Sequence, residues 1–203
     1  MTLNAGRSRY ELTQLSVIYY YKLIMNSQIL SAGAYHLTFS CFKKRWLFNH
    51  PYLYEEFLLN MEKVRLRYDI KIYAFVLMPN HVHIIIASEK EINLSKLLII
   101  IKRPFSYRAL QFLKENDKSL YKPLANKTGK KTIYRFWQAG RGNIQSINSE
   151  AQLINNIDYI HNNPVRRGLT KSAEQWKWSS LIFWEKGKNN KLKLDVPDYM
   201  KNK

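Results

Sequence analysis

The chain has a single cysteine, Cys41, among its 203 residues. One thiol excludes a disulfide framework and any zinc site built on cysteines, and it is compatible with a reducing cytoplasm. Long apolar runs are missing as well. A membrane-spanning helix needs roughly 18 consecutive apolar residues. The nearest stretch, Val17 to Met25, is broken by Lys22 and crowded with tyrosine. It comes after Arg7 and Arg9 but is too short and too tyrosine-rich for a signal peptide. Acidic residues are scarce: 15 Asp and Glu face 33 Lys and Arg, a net charge of +18. A field of that sign draws in polyanions, nucleic acid first, with an anionic membrane surface or ribosomal RNA as other fits. A surface that merely keeps the protein in solution needs far less charge.

The chain is nevertheless apolar enough to fold. Hydrophobic residues make up 46%, with 14 Tyr, 9 Phe and 5 Trp, which argues for a buried core and against disorder. The length suits one domain. Residues 1–34 match the rest of the chain poorly in pattern. They are read as an N-terminal extension, either loosely ordered or lying in part upstream of a natural start at Met25. Residues 186–203 read as a basic, loosely ordered tail.

Along the chain, Tyr35 to Phe42 alternates apolar and polar residues, as a half-buried strand does. His50-Pro51 opens a helix whose Leu53, Phe57, Met61 and Val64 share one face. Ile70 to Met78 and His81 to Ala87 read as antiparallel strands joined by the Pro79-Asn80 turn. Asn93 is an N-cap candidate for a helix to about Glu115, which Pro104 is expected to bend or interrupt. The polar, Lys-rich stretch 116–132 reads as a mobile loop that could meet a phosphate backbone. Ile133 to Gln138 reads as a short strand, with Ile144 and Ile147 on a further edge strand or connector. Ser149 is the N-cap candidate of a helix burying Leu153, Ile154, Ile157 and Ile160, expected to stop at Asn162 or Asn163 because Pro164 disfavours helical geometry before it. Trp176, Trp178, Ser179 and Ser180 open a last helical piece. The order strand, helix, strand, strand, helix, strand, helix predicts an α+β, ferredoxin-like (βαββαβ) antiparallel sheet with helices on one face, plus an added C-terminal helix.

Two constellations carry chemistry. His81 and His83 are i and i+2 on a strand, so they share a face while Val82, Ile84 and Ile86 point into the core. Their Cα atoms are then roughly 6–7 Å apart, close enough for both rings to reach one metal ion. Alone, this pattern also fits two histidines on a solvent-facing strand. Tyr159 and Asn163 are i and i+4 on a helix, offering a phenol as possible nucleophile and an amide oxygen as possible third ligand. That pair also fits a buried tyrosine with its hydroxyl bonded and an asparagine closing the helix. His161 between them is read as a surface histidine.

MPNHVHIII, then YIHNNPVRRGL, then W-x-W-S-S, in that order between Tyr35 and Ser180, resembles the REP-associated tyrosine transposases. These are relatives of the small single-tyrosine insertion-sequence transposases within the HUH endonuclease superfamily. The resemblance implies that 35–185 form an HUH transposase-like catalytic domain with a ferredoxin-like core. It implies a metal pair at His81 and His83, a third ligand at Asn163 and a nucleophile at Tyr159. It further implies cleavage and rejoining of single-stranded DNA at hairpin-containing repeats through a 5′-phosphotyrosyl link, without ATP. The implied ion is Mg2+ or Mn2+, although imidazole chemistry alone favours zinc or another late transition ion. A phenol ordinarily ionises near ~10, so a tyrosine nucleophile needs help from the metal and from nearby cations. Asp158 is about 100° around the helix from Tyr159 and is not expected to be the base.

One tyrosine performs one cleavage at a time, so excision plus rejoining asks for two active sites, as in a homodimer, or for a reset between steps. The expected location is cytoplasmic, at the nucleoid, with no membrane partner. DNA-binding candidates are Lys102, Arg103, Arg108, Arg135, Trp137, Gln138, Arg166 and Arg167, supplying phosphate contacts and base stacking. Core packing is the competing reading for Trp137, Trp176 and Trp178, and a solvated loop for Arg166 and Arg167. Two rival functions stand beside the transposase. One is a non-catalytic, RNA-recognition-like binder of single strands that presents Tyr73 and Phe75 from a strand. The other is a metal-dependent hydrolase that uses activated water.

Overall fold

The alternating segment forms strand β1 (Gly33–Ser40) in the computed structural model, which describes residues 33–188 and 191–197. The expected N-terminal extension therefore lies outside the described residues up to position 32, and Gly33 and Ala34 already belong to β1. Helix α1 (Pro51–Tyr68) begins with Pro51 in its first turn, where a missing N–H costs no helical bond. Strands β2 (Lys71–Met78) and β3 (His81–Ser88) pair across the Pro79-Asn80 turn. Helix α2 (Leu94–Asn116) starts where Asn93 Oδ1 accepts the Lys96 N–H at 3.0 Å. A short helix α3 (Lys118–Tyr121), the hairpin β4 (Ala125–Thr128) and β5 (Lys131–Tyr134), and strand β6 (Asn143–Ile147) come next. Helix α4 (Glu150–His161) is capped by Ser149, and the single turn α5 (Asn163–Arg166) and helix α6 (Leu181–Lys186) come after it.

The main sheet has the order β2-β3-β1-β6, all neighbours antiparallel. Because strand side chains alternate, its two faces bury different partners. Leu37, Phe39, Leu77, Val82 and Ile84 pack against α1 and α2, where Phe48, Phe57, Phe105 and Phe136 form an aromatic cluster. Each fully buried ring of this kind contributes on the order of 1.5–3 kcal/mol. Ala74, Val76, Ile85 and Ala87 pack instead under Leu153, Ile157 and Ile160 of α4. The helix that carries Tyr159 is thus laid across the face bearing the two histidines.

Several local expectations change. The fourth strand of the sheet is Asn143–Ile147; Ile133 and Tyr134 belong to the separate β4–β5 hairpin, turned by Gly129 at φ 58°. The 116–132 stretch carries regular structure, because Asp117 caps α3 and Leu124 is buried in the core. Helix α2 continues through Pro104 without interruption; the nearby carbonyls of Ile101 and Lys102 take side-chain donors from Asn60 (2.9 Å) and Trp137 (3.3 Å). Helix α4 stops at His161, one residue before the expected end, and Pro164 sits in the first turn of α5, where it is tolerated. The tail is docked over 191–197. Leu192 and Leu194 are buried, and Asp195 bonds to both backbone polar groups of Ile72, accepting its N–H at 3.0 Å and donating its own to the carbonyl at 2.8 Å.

Strand β2 also disposes of the aromatic pair. The β2–β3 register shifts between Ile72 and Ala74, so Tyr73 is the extra residue of a bulge. Tyr73 consequently packs under α4 and Phe75 on the opposite face, both buried, and neither offers a stacking surface.

Candidate active site

The register of β1 on β3 pairs Thr38 with His83 and Ser40 with His81. Alternation therefore gathers His36, Thr38 and Ser40 of β1 with His81 and His83 of β3 on one face, beneath the end of α4. The two rings of the HVH motif stand 4.8 Å apart between centroids. The Tyr159 ring lies 5.9 Å from that of His83 and 6.4 Å from that of His36. Tyr159 is 39% exposed at the edge of a cleft of about 440 Å³, whose walls include Ser40, Lys44, Trp46, His81, His83 and Arg167. Asn163, which is buried, reaches the same histidine: its Nδ2 is 3.3 Å from His83 Nε2. Residues far apart in sequence thus converge on one side of the sheet, with Asn163 brought there by the turn α5 that follows the tyrosine helix and not by α4 itself.

Burial sets the protonation of the pair. His81 is pushed down to about 4 by desolvation, then by the charges of Arg167 and Lys44. His83 is pushed down to about 2, again chiefly by burial, then by His81, His36 and Arg167. Both rings are neutral at ordinary pH, which leaves each one basic nitrogen. For His81 the free nitrogen is identifiable. Its Nδ1 is 2.6 Å from Asn80 Oδ1, an acceptor only, so Nδ1 carries the proton and Nε2 keeps its lone pair.

This donor set fits a divalent ion. Two neutral imidazoles sit side by side, with an amide against one of them. Among the described residues no group of three His, Cys, Asp or Glu is placed to hold a metal, and the Asn163 amide is the side chain that lies against His83 Nε2. As placed, that amide donates its N–H to His83, and ligation requires it to turn its oxygen inward. Asp158 is held elsewhere: its carboxylate and carbonyl accept from Asn162 Nδ2 at 2.9 and 3.0 Å. Burial holds that carboxyl above the usual carboxylate range.

The basic candidates scatter. Arg166 lies over the Tyr159 ring at 4.8 Å and Arg167 lines the cleft. Gln138 Oε1 accepts the Lys43 N–H at 3.0 Å, close to the cleft residue Lys44. Lys102 donates to Gly140 O at 2.9 Å, and with exposed Arg103 it lines a second hollow beside Ile99 and Arg141. Arg135 is half-buried, its backbone N–H held by Leu124 O. Two candidates are engaged within the fold. Arg108 is engaged by Glu56 and by Asn60 (2.8 Å), which ties α2 to α1. Trp137 is buried against Phe39 and Phe105, so packing accounts for its ring.

His161 is not at the surface. It is 4% exposed, its Nε2 is 2.7 Å from Ser180 Oγ, and burial holds it down at about 3. Ser180 in turn bonds both polar groups of the Phe75 backbone. The W-x-W-S-S segment is therefore an edge clasp on β2: Trp176 Nε1 donates to Leu77 O (3.0 Å), and Trp178 stacks on Tyr54 at 4.4 Å. Sequence reasoning passed over His36, Lys44, Trp46 and Asn80. For His36 a signal existed, since His36, Thr38 and Ser40 repeat the polar alternation of the HVH strand opposite. Lys44 and Trp46 reach the cleft from an irregular loop and had none.

The sequence model of the family described as "Transposase IS200 like" matches residues 30–163. A Haemophilus influenzae protein named as a putative REP-associated tyrosine transposase is 24% identical over 115 residues, 56% of this chain and 60% of its own length. In that match the chain thus spans less than two thirds of its relative. A solved structure of a REP-associated tyrosine transposase bound to a REP hairpin superposes with a TM-score of 0.56 at 21% identity, covering 85% of this chain and 92% of the other. That likeness is one of fold. Among the described residues no helix is long and apolar enough to cross a membrane. By the match over most of its length, the chain belongs to the IS200-like transposase family.

Proposed function

We propose that this protein is a single-stranded DNA endonuclease and strand transferase that cuts through Tyr159 at hairpin-containing repeats. The observation that carries the reading is the convergence of Tyr159, His83, His81 and Asn163 on one cleft from separate segments of the chain. The strand order and the placing of α4 suit the ferredoxin-like plan expected for such an enzyme. The REP hairpin bound by the structural neighbour supports hairpin DNA as the partner here.

His81, His83 and Asn163 would hold the divalent ion, Mg2+ or Mn2+. Such an ion supplies Lewis-acid neutralisation of the scissile phosphate. The chain's own groups do the rest. Lys44 and Arg167 at the cleft wall draw in and orient the phosphodiester. Tyr159, with Arg166 stacked over its ring, presents its hydroxyl oxygen at the cleft edge. Attack of that oxygen on phosphorus forms the tyrosyl ester and breaks the bond to the 3′ oxygen, which leaves as a hydroxyl after taking up a proton. The number of phosphoester bonds is unchanged, so a second 3′-hydroxyl reverses the step and joins strands. Among the described residues no Asp or Glu lines the cleft, so the phenol proton passes to solvent, not to a carboxylate. Exposed Trp46 at the mouth offers a platform for an unpaired base. The rival single-strand binder has lost its exposed aromatic pair to the bulge in β2.

The test is a labelled hairpin with single-stranded flanks, incubated with Mn2+ and run on a denaturing gel. Wild type should give a protein–DNA adduct. Tyr159→Phe should give none, and His81→Ala none, while both bind the hairpin in a filter assay. Cleavage without an adduct by Tyr159→Phe would favour a hydrolase that uses water.

A further inference from the structure

A chain of hydrogen bonds runs from the tyrosine helix to the metal-facing histidine, and its direction is fixed at the far end. Gln152 O on α4 can only accept, and Asn156 Nδ2 donates to it at 2.8 Å. That settles which way the Asn156 amide faces. Its Oδ1, again only an acceptor, lies 2.7 Å from His36 Nδ1. The proton on that contact therefore belongs to His36. A neutral His36 then has a bare Nε2, and this nitrogen is 2.9 Å from His83 Nδ1. The proton between the two rings must sit on His83 Nδ1. His83 Nε2 is left with its lone pair, and this is the nitrogen beside Asn163. His36 is buried, and none of its partners in these bonds, an amide, a hydroxyl and an imidazole, carries a negative charge to pair with a cationic ring.

We infer that His36 and Asn156 are positioning residues that impose the Nδ1–H tautomer on His83, so that its Nε2 is free to bind a divalent ion. Asn156 lies three residues before Tyr159 on the same helix. The bonds that choose the tautomer therefore also register the helix against β1, and nucleophile and metal ligand are set by one network. Thr38 Oγ1 is 2.9 Å from the same His83 nitrogen and 3.4 Å from His36 Nε2. A hydroxyl either donates or accepts, so it satisfies His83 without choosing its tautomer. The choice comes from Gln152, Asn156 and His36. This inference rests on the metal-binding part of the proposed function, but the tautomer is measurable without any metal.

The experiment uses the full chain in two arms. In the first, 15N-imidazole NMR of metal-free protein should show His83 protonated at Nδ1 in wild type and shifted toward Nε2–H in His36→Leu and Asn156→Leu. In the second, Mn2+ titration should show affinity falling roughly 10- to 100-fold in His36→Leu. His36→Gln, whose carbonyl can replace the Nε2 acceptor, should recover most of it. Hairpin binding in EDTA should be unchanged in all. If His36→Leu does not fold, the wild-type tautomer and Asn156→Leu decide the matter. An Nε2–H His83 in wild type overturns the inference, and so does a folded His36→Leu with undiminished Mn2+ affinity, which would leave Thr38 sufficient. If wild type binds no divalent ion at all, the proposed metal chemistry fails, while the NMR arm still judges the relay.

Discussion

Acid should unfold this protein partly through one buried ring, His161. The ring is 4% exposed and bonded to Ser180, which itself clasps the β2 backbone. In the folded chain it protonates only at about 3, against an ordinary value of 6.5, because burial penalises the charged form. Between those values the unfolded chain binds a proton that the folded chain refuses. Stability therefore falls as pH drops below the unfolded value and stops falling through this group only near the folded one. At pH 5 the loss is set by the 1.5 units separating that pH from 6.5, which at 1.36 kcal/mol per unit is about 2 kcal/mol. His36, His81 and His83 are shifted the same way and add to the slope. Replacing His161 with Gln removes its titration and keeps a polar partner for Ser180. Urea unfolding of wild type and His161→Gln at pH 7 and pH 5 isolates its share. The variant should lose about 2 kcal/mol less than wild type between the two pH values. Equal losses would mean that the ring is protonated without penalty, and the reasoning from burial would be wrong.

Three further outcomes are expected from the same structure. Phe105→Ala empties the centre of the aromatic cluster and should cost about 3–5 kcal/mol in denaturant unfolding with the fold retained. Charge reversal at Lys127, Lys130 and Lys131, exposed on the β4–β5 hairpin, should weaken binding of hairpin DNA alike for all sequences and flatten its salt dependence; an unchanged salt slope would put the phosphate contacts elsewhere. Asn163→Ala should weaken Mn2+ binding and slow cleavage while leaving hairpin affinity intact, whereas unaltered Mn2+ binding would remove the amide from the ligand set.

Much of this was legible because short-range rules governed it. Alternation located β1, the apolar runs either side of the Pro79-Asn80 turn located β2 and β3, and the two-residue repeat of a strand put His81 beside His83; caps at Asn93 and Ser149 marked the starts of α2 and α4. What was hidden depends on pairing between distant segments. His161 looked like a surface residue because its cover is the W-x-W-S-S clasp, supplied from nineteen positions on. The bulge at Tyr73, which separates it from Phe75, leaves no mark in the residue pattern and appears only in the β2–β3 register. Leu192 and Leu194 sit in a stretch of lysines whose composition reads as solvated, and only the groove they fill reveals them as core. Arg108 and Trp137 had the right chemistry for DNA, but their neighbours across α1 and β1 claim them first.

The most direct measurement is to trap wild-type protein on a hairpin oligonucleotide with Mn2+, trim the DNA with nuclease, digest with protease and sequence the modified peptide by mass spectrometry. A nucleotide attached through phosphate to Tyr159, formed only when divalent ion is present, is the predicted result. A modification at any other residue, or cleaved DNA with no modified peptide, would contradict the assignment of this cleft as the place where the strand is cut.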